Sequence, residues 1–198
     1  MKKTYISAGQ LLTDSYALAL LIHESGYRPD IIAGVWRGGA PIGIAVQELL
    51  HYLGVNSDHI AIRSASYTGI GERNREVSVH GLEYIVERIQ PGQSLLIVDD
   101  VYDTGLSIQK IILELLDRCG SNITDIKVAT PYFKPGNNRT DSIPDFYLYE
   151  SDDWLVFPHE LSGLTPEEIF SNKIELAPLA NRLRQHIITS QANLRQTP

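Results

Sequence analysis

Between Ser7 and Ser25 the apolar residues Leu11, Leu12, Tyr16, Leu20 and Leu21 recur at three- and four-residue steps, the signature of an amphipathic helix, and Gly26 closes it. Ile31 to Val35 is a short unbroken apolar run and reads as a buried strand. Ala40 to Leu53, ended by Gly54, predicts a second helix, and His59 to Ser66 a second strand. Leu95 to Val98 is apolar at every position and bounded by polar residues, as in a strand covered on both faces of a parallel sheet. Helical spacing returns at Ile108, Ile111, Ile112, Leu115 and Leu116. Ile126 to Thr130 and Phe146 to Tyr149 read as strands on either side of a Pro/Gly/Asn-rich excursion from Pro131 to Pro144. Leu164 to Phe170 and Ile174 to Ile188 read as helices, with a disordered tail after Thr189. Helix and strand alternate throughout, which predicts an α/β domain around a parallel sheet. Tyr67 to His80 has no periodicity and reads as a long loop, of the kind that serves as a lid.

The candidate chemistry gathers at the end of the strand at Leu95 to Val98. Asp99, Asp100 and Asp103 follow it directly, where open α/β sheets place their ligands. Asp103-Thr104-Gly105-Leu106-Ser107 then runs into a helix, whose free N–H groups and positive dipole end suit a phosphate. The acid pair would repel that phosphate, so it faces sugar hydroxyls or a divalent cation instead. A single Asp-x-Thr-Gly would be an ordinary strand-to-helix turn with an aspartate cap; three acids plus the turn favour a sugar phosphate. A second glycine turn, Trp36-Arg37-Gly38-Gly39 between the first core strand and Pro41, also suits an anion, although alone it would read as a simple turn.

Composition narrows the alternatives. A chain of 198 residues with 43% apolar content can bury one full core, so we expect a single domain over residues 1–190, with a flexible tail at 191–198. A net charge of −7 argues against a nucleic-acid surface. No apolar stretch is long enough to span a bilayer, and the start lacks a signal-peptide core, so a cytoplasmic chain without a membrane partner is expected. The single Cys119 falls in the last turn of the helix after the phosphate turn and reads as a structural thiol.

The run of apolar residues, Asp99-Asp100, two residues, then Asp103-Thr104-Gly105-Leu106-Ser107 resembles the phosphoribosyl pyrophosphate signature of the type I phosphoribosyltransferases. That resemblance implies a central, mainly parallel sheet flanked by helices, with a core over about 27–130 and a small hood over about 131–165. It assigns Asp99 and Asp100 to the ribose hydroxyls and to magnesium, and Asp103 to Ser107 to the 5-phosphate. Arg37 and Gly38 would hold pyrophosphate, next to a non-proline cis peptide between Trp36 and Arg37. Ser66 and Tyr67 resemble the family's Ser-Tyr lid, which keeps water from the reacting ribose.

Three further positions resemble the purine branch. Lys134 matches the lysine that donates to a 6-oxo group, and Trp154-Leu155-Val156-Phe157-Pro158-His159-Glu160 resembles the base-binding segment of xanthine-guanine phosphoribosyltransferases. Trp154 would stack on the base, the Leu155 main chain would read its edge, and Glu160 would help hold Mg2+ and pyrophosphate. Asp103 would meet the purine N7 as the glycosidic bond forms. The expected partners are phosphoribosyl pyrophosphate and a 6-oxopurine, in a homo-oligomer, dimer or tetramer. The other readings are a type I enzyme for another base and a regulatory protein that senses phosphoribosyl pyrophosphate.

Overall fold

A computed structural model describes the backbone of residues 2–67 and 76–194, and the side chains of these except 64–67, 76–78 and 188–194. In chain order the first half comprises β1 (Lys3–Tyr5), α1 (Ala8–Glu24), β2 (Ile31–Trp36), α2 (Gly39–Tyr52), β3 (Asp58–Tyr67), β4 (Glu76–His80) and α3 (Glu83–Arg88). The second half comprises β5 (Gln93–Val98), β6 (Val101–Tyr102), α4 (Leu106–Cys119), β7 (Ile123–Phe133), β8 (Phe146–Glu150), β9 (Trp154–Val156), α5 (Pro166–Asn172) and α6 (Ala180–Leu194). They fall into two compact units, Leu12–Asp152 and Met1–Leu11 with Asp153–Pro198.

The larger unit is built on one sheet in the order β4-β3-β2-β5-β7, with β6 and β8 both paired to β7. Every pairing is parallel except β3 with β4. Strand periodicity divides the core between two faces. Ile31, Ala33, Val35, Leu95, Ile97 and Val128 face α3 and α4, where Ile85, Ile108, Ile111 and Leu115 complete a dry cluster. The intervening Ile32, Leu96 and Val98 are buried on the opposite face, on which α2 packs. This sheet flanked by helices is the architecture that the alternating pattern implies. Cys119 is buried in the same cluster, and burial raises its thiol pKa, in keeping with a structural role.

Several boundaries differ from the sequence reading. The segment from Tyr67 to His80 is not loop throughout: β4 pairs antiparallel with β3, Tyr67 opposite Glu76. Its polar, charged composition hides a strand that has only one neighbour. Ser66 and Tyr67 themselves end β3, and residues 68–75 of the expected lid lie outside the described residues. β7 continues beyond Thr130 to Phe133, through a proline at its third residue from the end. Helical backbone reaches Leu194, past the expected start of the tail, whose residues 195–198 lie outside the described residues. A buried carboxylate, Asp14 on α1, accepts hydrogen bonds from the hydroxyls of Tyr132 (3.4 Å) and Tyr149 (3.1 Å) and had no signature in the sequence. Among the described residues no helix is long and apolar enough to cross a membrane.

In the smaller unit β1 pairs in parallel with β9, Lys3 opposite Trp154 and Thr4 opposite Leu155. α5 opens with a capping box: the Thr165 hydroxyl accepts from Glu168 N–H at 3.2 Å, and the Glu168 carboxylate accepts from Thr165 N–H at 2.9 Å. Glu168 also pairs with Lys3, so one side chain ties the helix start to β1. Thr165→Ala is therefore expected to cost about 1 kcal/mol. In urea titration this should lower the midpoint at an unchanged slope; an unchanged midpoint would show the box to be energetically idle.

Candidate active site

The site grows from the break between β5 and β6. β5 pairs Val98 with Ala129, the chain steps out at Asp99 and Asp100, and β6 resumes with Val101 opposite Tyr132 and Tyr102 opposite Phe133. The offset between partners is the same before and after the step, and Asp99 N–H still reaches Ala129 O at 3.1 Å. The two acids thus leave the strand without shifting its register. Continued by one residue, that register sets Asp103 opposite Lys134, and Lys134 N–H donates to Tyr102 O at 2.9 Å. Their charged ends meet: Lys134 Nζ lies 3.7 Å from Asp103 Oδ2. Lys134 is buried to 8% exposure although it is a lysine, while the Asp103 side chain keeps 43%. The other Asp103 oxygen, Oδ1, accepts from Asn137 Nδ2 at 2.8 Å.

Thr104, Gly105 and Ser107 form the turn into α4, and with Asp99 and Asp103 they line a crevice of about 80 Å³. Gly105 is the N-cap, with φ of +76° and no side-chain cap. A side chain there would be strained by that φ, and its Cβ would stand 2.7 Å from both the Tyr102 ring and Thr140 Oγ1. The first N–H groups of α4 have no capping side chain, at the end of the helix that lines the crevice, an arrangement suited to a phosphate. Arg139 N–H braces the turn from outside by donating to Thr104 O at 3.0 Å.

The second glycine turn lies against the acid pair. A Cβ on Gly38 would fall 1.8 Å from Asp100 Oδ2, and one on Gly39 would fall 2.2 Å from Val98 O and 2.7 Å from Asp99 Cα. The glycines are needed for close approach, since neither has positive φ. Asp100 N–H donates to Asp99 Oδ1 at 2.9 Å, and the Trp36–Arg37 peptide is cis, as the resemblance implied. Burial first, and the neighbouring Asp100 charge second, hold the Asp99 carboxyl well above the ordinary carboxylate range.

Two adjacent carboxylates at a strand exit are oxygen donors of the kind a divalent ion takes, so the pair fits one. Among the described residues no three or more His, Cys, Asp or Glu side chains gather into a metal cluster. Two carboxylates completed by substrate oxygens and water suit magnesium, which is rarely caged by protein alone.

The structure thus brings Arg37's turn, Asp99, Asp100, Asp103 to Ser107 and Lys134 together in the larger unit. Trp154, Leu155 and Glu160 belong to the smaller one. There Trp154 is half exposed with the Lys3 ammonium 5.7 Å from its ring centre, and Leu155 is buried in β9. Glu160 folds back onto its own turn, its Oε2 accepting from Phe157 N–H at 3.1 Å, and Lys173 Nζ closes the same turn on Phe157 O. Burial lowers the Lys173 pKa. The sequence reading missed Asn137 and Arg139, because the stretch after Lys134 shows only turn formers and nothing local indicates what their polar groups reach.

Comparison with known proteins agrees with this geometry. A family model for the phosphoribosyl transferase domain matches residues 6–162. A solved purine phosphoribosyltransferase from Pyrococcus horikoshii Ot3 is 29% identical with a TM-score of 0.64, covering 83% of this chain and 98% of its own. A xanthine-guanine-hypoxanthine phosphoribosyltransferase from Helicobacter pylori is 18% identical (TM-score 0.64; 90% and 99% covered). A Neisseria gonorrhoeae hypothetical protein with bound ppGpp is 19% identical (TM-score 0.66; 87% and 96% covered). At such identities the last two bear on the fold alone. No curated protein matches the chain.

Proposed function

The chain belongs to the phosphoribosyl transferase domain family, and on that premise we propose that it transfers the phosphoribosyl group of phosphoribosyl pyrophosphate to a 6-oxopurine, releasing pyrophosphate. The observation that carries the purine reading is the pairing of Asp103 with Lys134 at 3.7 Å beside the phosphate turn. A carboxylate and an ammonium held that close can meet a purine's imidazole N–H and its neighbouring exocyclic oxygen together. Magnesium, held through Asp99 and Asp100, would supply charge neutralisation for the pyrophosphate.

The remaining residues divide the work. The N–H groups and hydroxyls of Thr104 to Ser107 bind the 5-phosphate and so fix one end of the ribose. Arg37 and Gly38 bind the leaving pyrophosphate at the other. Asp103 accepts the proton or hydrogen bond of N7 as the ring nitrogen on the same five-membered ring attacks the ribose carbon. Ser66 and Tyr67 exclude water, Trp154 stacks on the base, the Leu155 main chain reads its edge and Glu160 assists at the magnesium; these roles rest on the resemblance. So do assembly as a dimer or tetramer and a cytoplasmic location.

Pyrophosphate release with Mg2+ and phosphoribosyl pyrophosphate, measured against hypoxanthine, guanine, xanthine, adenine and a pyrimidine panel, tests the proposal; turnover confined to pyrimidines or to adenine would refute the 6-oxopurine assignment. Within it, Lys134→Ala should reduce the preference for hypoxanthine over adenine by about ten- to a hundred-fold, the loss of one charged hydrogen bond. A competition assay reads that ratio, and an unchanged ratio removes Lys134 from base selection.

A further inference from the structure

We propose that Asn137 is a positioning residue that fixes the rotation of the Asp103 carboxylate, an inference resting on the role given to Asp103 above. The two oxygens of that carboxylate have different partners. Asn137 Nδ2 lies 2.8 Å from Oδ1, a full hydrogen bond, whereas Lys134 Nζ stands 3.7 Å from Oδ2, an ion pair beyond hydrogen-bonding distance. When Lys134 turns to a base carbonyl, Asn137 is the partner that stays. Asp103 is 43% exposed, so water would otherwise let the carboxylate turn freely about its last bond.

The amide is chemically suited to this task. A lysine or arginine at the same point would compete with the base for the carboxylate by charge, and an aspartate would repel it. A neutral donor holds Oδ1 and leaves Oδ2 as acceptor for the base. Asn137 is itself fixed by local structure: its N–H donates to Lys134 O at 3.2 Å, closing the short 3-10 turn Pro135–Asn137. Selector lysine and orienting amide thus come from the two ends of one turn. Arg139 N–H, bonded to Thr104 O, ties the continuation of that loop to the phosphate turn. Hydrogen bonds therefore link the acid, its orienting amide and the phosphate turn in one continuous set.

Asn137 is exposed, and its replacement leaves the core untouched. Asn137→Ala should lower kcat about ten-fold with the KM for phosphoribosyl pyrophosphate unchanged, the effect of one lost hydrogen bond to a charged group. In an Asp103→Asn background the same replacement should cost nothing further, because Asn137 acts through Asp103; a merely structural residue would show an additive loss. A readout free of turnover is the carboxyl 13C resonance of Asp103 in the unliganded protein, expected to shift in Asn137→Ala. An unmoved resonance or an additive loss overturns the inference about Asn137 alone. Full activity of Asp103→Asn would overturn it together with the role of Asp103 on which it rests.

Discussion

Asp103→Asn is expected to lower kcat by about 10²–10⁴-fold, the usual contribution of a positioned general base, while leaving the KM for phosphoribosyl pyrophosphate near that of the parent. Asparagine keeps the size and much of the shape of aspartate, so the turn into α4 and its phosphate-binding N–H groups should survive. What is lost is the negative charge facing the reacting base, together with the acceptor pairing to Lys134 at 3.7 Å. The split between kcat and KM is the decisive part. A loss spread equally over both would place Asp103 in ground-state binding of the donor, and undiminished turnover would remove it from the chemistry.

Gly39→Ala is expected to be the most damaging glycine-to-alanine change among the described residues. Its Cβ would fall 2.2 Å from Val98 O and 2.7 Å from Asp99 Cα, both backbone atoms of the central strand and its exit. Neither can swing aside as a side-chain tip could. Relief requires α2 to retreat from the sheet or the Asp99 segment to shift, and either movement opens the acid pair. Overpacking of this kind costs about 1–3 kcal/mol, and more where backbone must move. The loss should appear as a lower denaturant midpoint and as near-complete loss of donor binding by calorimetry. Parent-like binding in a folded Gly39→Ala protein would show that the close approach of the two turns is dispensable.

What the sequence made legible was local. The apolar run at Leu95 to Val98, the acid pair and the phosphate turn are contiguous, so pattern alone located the strand end, the exit and the helix start. Arg37-Gly38-Gly39 was legible as an anion turn, but its contact with Asp99 and Asp100 was not, since that depends on β2 and β5 being neighbours in the sheet. The pairing of Asp103 with Lys134 could be named from resemblance, yet its cause, a strand register kept across a two-residue step, is a property of the folded ladder. Asn137 and Asp14 were invisible for a related reason: each is a polar side chain whose partner lies far along the chain, and turn or helix patterns say nothing about such reach. β4 was missed although Glu76-Val77-Ser78-Val79-His80 alternates polar and apolar, because five residues are a short run and the charged stretch Glu72-Arg73-Asn74-Arg75 just before them reads as loop.

The register that β7 keeps with β5 and β6 across the Asp99-Asp100 step also decides which changes in chain length the site can absorb. Acid and lysine are spaced by rungs of main chain, so added residues in the α4-to-β7 connection would bulge outward and leave their separation alone. Deleting one residue from Asp99 to Tyr102 would instead slide β6 and the turn after it by a step against β7, reverse which side of the sheet those residues face, and bring Thr104 to the place of the carboxylate. Tolerance to insertion and deletion should therefore be sharply uneven along these few dozen residues.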